Sequence, residues 1–167
     1  MAVVLGRIVD SHYDYKHRMT VVKTPVHPAT MQLLDYWREC DVRGGLRMGR
    51  DVPSRAIALL LKDLCVAEPV DDWADARIRL AGSTMTEYFG RDVSGMLMSQ
   101  IIGDGRESDF QLMMNGSGYV TAKNKPGTIE HILLNEGRVV LRQEMTAVPI
   151  WAPDGDARWV LTGTFNF

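Results

Sequence analysis

Ala76-Arg77-Ile78-Arg79-Leu80-Ala81-Gly82-Ser83-Thr84 opens the stretch that decides the fold, and Phe89-Gly90-Arg91-Asp92, Ser94-Gly95 and Ile101-Ile102 complete it. Residues 76–81 read as the second strand of a hairpin. Thr84 and Glu87 stand at the spacing of a capping box, so a helix starts just after Gly82. Met85, Tyr88 and Phe89 fall at i, i+3 and i+4, which gives that helix one apolar face. Gly90 stops it. Ser94-Gly95 then opens a second short helix that carries Met96, Leu97, Met98, Ile101 and Ile102 and ends at Gly103. A strand followed by two short, glycine-punctuated helices predicts small helices packed over a sheet.

The flanking chain extends the pattern. Upstream, a helix is expected over 28–42, because Pro28 suits a first turn and Leu33, Tyr36, Trp37 and Cys40 form one stripe at i, i+3, i+4 and i+7. Residues 2–9 read as an edge strand or extended chain and 10–27 as polar and aromatic by turns with Pro25 as a breaker, so 1–27 is expected to be a leader that is extended or loosely packed. Leu64 to Val70 is a strand, and Asp71-Asp72-Trp73-Ala74-Asp75 a turn. Downstream, a third helix is expected over Glu107 to Asn115, with Phe110, Met113 and Met114 on one side and Gly116 and Gly118 ending it. Thr128 to Leu134 and Arg138 to Ile150 flank Asn135-Glu136-Gly137, a hairpin-turn signal. Pro153-Asp154-Gly155 is a second turn, before a last strand over Arg158 to Phe167. The count predicts an α+β fold: a five-stranded antiparallel sheet, short helices on one face and an N-terminal helix.

Composition narrows the function classes. The chain has 167 residues, 46% of them hydrophobic and 24% charged, enough for one core without disulfides or metals. A net charge of −2 favours neither nucleic acid nor a membrane surface. Acids at Glu39, Asp41 and Asp51 intersperse the arginines from Arg38 to Arg55, as on a solvated face. Cys40 and Cys65 lack metal-ligand spacing and read as small buried side chains. The N-terminal Ala2-Val3-Val4-Leu5 is too short for a signal-peptide core, so a cytoplasmic location is expected. No nucleophile elbow, phosphate-cradling glycine loop or zinc-type spacing supports catalysis.

The order of elements resembles the PAS fold, and the fragments are similar to a bacterial PAS subfamily of single-domain proteins. They are Leu33-Leu34-Asp35-Tyr36-Trp37-Arg38, Pro53-Ser54-Arg55, Arg77 to Gly82, Phe89 to Asp92 and Ser94-Gly95. The likeness covers residues 28–167. The Asp-Pro pair usual after Pro-Ser-Arg is replaced here by Ala58 and Leu59. The resemblance implies a sensory or interaction module without its own output domain, with a small pocket between sheet and helices.

Candidate site residues follow from that expectation. A pocket for a small apolar ligand would draw on Met85, Tyr88, Phe89, Met98, Phe110, Met113, Met114 and His131, since methionine fills irregular space around varied ligands. The plainer alternative for each is core packing, and for His131 a bond to a neighbour. The resemblance gives no flavin-adduct cysteine, because no cysteine follows Cys65, and no axial histidine on the third helix, so haem is not expected and the cofactor is unknown. Arg91-Asp92 reads as a local cap or, less simply, an anion contact. Asp10, His12, Asp14 and His17 are mixed metal-ligand types in the leader. Leu33, Tyr36 and Trp37 are expected at a homodimer interface, with a signalling protein as the other partner. Two further readings are a small-ligand-binding protein that associates incidentally, and an enzyme on a cystatin-like or hot-dog scaffold.

Overall fold

The computed structural model describes residues 15–102 and 106–167. Six strands form one sheet: β1 (Tyr15–Val21), β2 (Leu64–Val70), β3 (Asp75–Ala81), β4 (Gly127–Asn135), β5 (Arg138–Trp151) and β6 (Arg158–Asn166). Their spatial order is β1-β4-β5-β6-β2-β3, and every pairing is antiparallel. The helices are α1 (Pro28–Val42), α2 (Ser83–Phe89), α3 (Met98–Ile101) and α4 (Glu107–Lys123), with 3-10 turns at Arg55–Ile57 and Leu61–Asp63.

Alternation along the strands separates two apolar layers. In β5 and β6, Val148, Ile150, Leu161 and Phe165 face one way and pack with Leu33, Tyr36, Trp37 and Cys40 of α1. Ala147 and Val160 face the other way and join Ile78, Val93, Met114 and Val120 under the remaining helices. Glu144 fastens α1 to the sheet. Its buried carboxylate accepts the backbone N–H groups of Val26 and His27, at 3.0 and 3.1 Å, just before the helix starts. Those donors hold it below the usual carboxylate range even though burial alone would raise it.

Three expectations change. Among the described residues the sheet has six strands, because part of the supposed leader is β1. It pairs with β4 from Tyr15 opposite Asn135 to Val21 opposite Ile129. Helix α4 runs through Gly116 and Gly118 to Lys123. Two interior glycines cost about 1 kcal/mol each, but tertiary contacts outweigh that. Val120 is buried, and the Trp73 indole N–H donates to Thr121 Oγ1 at 3.1 Å. The helix ends at Asn124, which is left-handed with φ 50°. Finally, the segment from Ser94 is mostly turn. Gly95 and Met96 exchange backbone hydrogen bonds with Ile78, and only Met98–Ile101 is helical.

Within the opening stretch the β3–α2 join stands where it was read, but the capping box does not form. Gly82 is needed where β3 meets α2, since a Cβ there would collide with the Leu61 and Lys62 carbonyl oxygens. Thr84 does not close a capping box; its hydroxyl donates to Asp63 Oδ1 at 2.6 Å, tying α2 to the preceding 3-10 turn. At Asn135-Glu136-Gly137, Glu136 and Gly137 both take positive φ, as a type I′ hairpin demands.

Candidate functional site

The sheet face opposite α1 is covered incompletely. Between it and α2, α3 and α4 lies a cavity of about 870 Å³. The sheet contributes Met19 and Val21 from β1, Ile129 and His131 from β4, Met145 and Ala147 from β5, and Val160 and Thr162 from β6. The helices add Met85, Tyr88, Phe89, Met98, Met113 and Met114. Six methionines line the space, with flexible thioethers that adjust to irregular shapes.

Of the sequence-derived pocket residues, Met85, Tyr88, Phe89, Met98, Met113, Met114 and His131 stand along this lining. Phe110 does not; it packs against the apolar cluster beneath α4. The residues expected at a homodimer interface lie elsewhere. Leu33, Tyr36 and Trp37 are at most 9% exposed and are consumed within the chain, against β5 and β6. The apolar stripe on α1 is the side that meets the sheet, and the Tyr36 hydroxyl donates to the Asp51 carbonyl at 2.7 Å. Arg79 pairs with Glu68 and lies over the Trp159 ring. Asp92 caps the Ser94 N–H at 2.9 Å, while Arg91 is exposed. Asp10, His12 and Asp14 fall outside the described residues. Among the described residues, no three His, Cys, Asp or Glu side chains converge as metal ligands.

His131 and Gln143 give the cavity lining a polar part, and a hydrogen-bonded run continues from them to residues off the lining. His17 of β1 contacts His131 of β4, Nδ1 to Nε2 at 2.9 Å. His131 Nδ1 meets Gln143 Oε1 at 2.9 Å, and Gln143 Nε2 donates to Asn166 Oδ1 at 2.8 Å. This order fixes the tautomers. Gln143 presents its oxygen, so His131 Nδ1 carries a proton and donates. Neutral His131 Nε2 is then an acceptor, and His17 Nδ1–H donates to it. Burial is the main cause that lowers both imidazoles, with nearby Arg106 adding to it; His17 falls to about 4. Arg106, at the start of α4, also lines the cavity and pairs through Nε with Asp109 at 3.2 Å. Cys65 lies on the lining too, but burial pushes its thiol up to about 12, so it stays protonated and unreactive.

The histidine pair is the feature that sequence reading missed. His17 and His131 are 114 residues apart and came from a presumed leader and a presumed sheet. The available signal was the alternation of His17, Met19 and Val21 against Lys16, Arg18 and Thr20, which marks a short strand with one inward face.

A PAS domain family profile matches residues 26–164. With that coverage, the antiparallel sheet and the helix-roofed cavity, the chain belongs to the PAS domain family. No curated protein matches it. No described helix is long and apolar enough to cross a membrane.

Proposed function

We propose that this chain is a sensory or protein-interaction module that holds a small apolar ligand and signals by ligand-modulated association with a second copy or a signalling protein. In this reading it works in the cytoplasm and is not an enzyme. The observation that carries it is the methionine-lined cavity of about 870 Å³, which falls in the usual range for small-molecule sites. Family membership supports the sensory class. The burial of Leu33, Tyr36 and Trp37 moves any association surface away from that stripe.

Thermal shift across a metabolite panel tests the reading, with Ala147→Trp as a control that fills the cavity from β5. The expected result is at least one compound that raises the melting temperature of the native chain and leaves A147W unmoved. Equal shifts for both proteins, or none for either, would contradict it.

A further inference from the structure

The cavity is chemically lopsided. Met19, Met85, Met98, Met113, Met114 and Met145 supply an apolar lining. Arg106 stands on the same lining, close enough to influence both His17 and His131. Its Nε is engaged by Asp109. Arg106 also sits at the N-cap of a 17-residue helix with no side-chain cap, where backbone N–H groups add positive potential.

Among the described residues, Asp109 is the acid paired with Arg106. Burial is the main reason both imidazoles are held neutral, and Arg106 adds to it. The other cations along the lining, Lys23 and Arg38, are solvent-exposed, and Arg38 is paired with Asp35.

Resting on the ligand-binding reading above, we propose that the ligand is an amphiphile: a chain-like apolar body lying among the methionines, with one carboxylate head at Arg106. A guanidinium suits a carboxylate, which it binds in a fork that a hydroxyl cannot complete.

The test is titration calorimetry with decanoate and 1-decanol below their micellar or solubility limits, on the native chain, Arg106→Gln and Asp109→Asn. The two probes share the apolar body and differ in the head. The native chain should bind decanoate more tightly than decanol. R106Q should weaken decanoate by about tenfold, the worth of one charge-assisted contact, and leave decanol unchanged. D109N, which removes the competing carboxylate, should tighten decanoate. If R106Q fails to fold, D109N still reads the effect with the opposite sign. Decanol binding as tightly as decanoate, with neither variant discriminating them, overturns the carboxylate head and keeps the ligand-binding reading. Binding of neither probe overturns the proposal and the apolar-ligand reading together.

Discussion

At the scale of single residues, the decisive arrangement is the run His17, His131, Gln143, Asn166. Each link is satisfied when both histidines are neutral, and one extra proton can sit on either ring because His17 can take the matching tautomer; only with both rings charged would two N–H groups face each other. Burial and Arg106 both oppose charge here. Because the folded values lie below the free imidazole's 6.5, the unfolded chain binds protons that the folded chain refuses. Stability is therefore full above pH 6.5, declines as pH falls and levels off below about 4. Histidine NMR should give His17 a midpoint near 4, and urea melts should show the decline over the same window. A midpoint near 6.5 would mean that β1 is not seated on β4 in solution. Little of this was legible beforehand, because a hydrogen bond across 114 residues leaves no local periodicity. His131 was recognisable as inward-facing from Ile129 and Leu133, but its partner was not.

At the scale of elements, local chemistry decided where reading succeeded. The β3–α2 join was legible because Gly82 and Gly90 punctuate it. The β4–β5 hairpin was legible because Asn135-Glu136-Gly137 accepts the required positive φ. Helix α4 was cut short because Gly116 and Gly118 look like stops until Trp73 and Val120 are known to pack on that segment. That history makes Gly116 a sharp probe. Its position is helical, and a Cβ there would meet nothing within 4 Å. Gly116→Ala should thus stabilise the fold by about 0.5–1 kcal/mol, measured by chemical denaturation. A loss of stability would mean that the helix ends where the glycines suggested. Helix α1 shows the opposite lesson. Its stripe was found correctly, but periodicity identifies an apolar face and not what covers it. Trp37 is 8% exposed against the sheet. Trp37→Ala should cost about 3–5 kcal/mol of stability, with no loss of self-association in sedimentation beyond that due to unfolding. A stable variant that only dissociates would restore the interface assignment.

At the scale of the whole molecule, the sheet divides two tasks. One face and α1 form a closed core in which Leu33, Ile150 and Leu161 are essentially inaccessible. The other face keeps a cavity under α2, α3 and α4. Strand β1 lies outside the matched residues 26–164, yet it supplies Met19 and Val21 to the lining and a partner, His17, to the lining residue His131. The family match alone would have left that edge out. The antiparallel sheet and its roof were readable from turns, glycines and helix faces, whereas the cavity's polar chemistry emerges only when β1, β4 and α4 come together. The most direct measurement of the central claim is a native mass spectrum of the freshly purified chain beside A147W. A small noncovalent adduct on the native chain, lost on denaturation and absent from A147W, is the predicted result. A bare mass for the native chain, or the same adduct on both proteins, would contradict it.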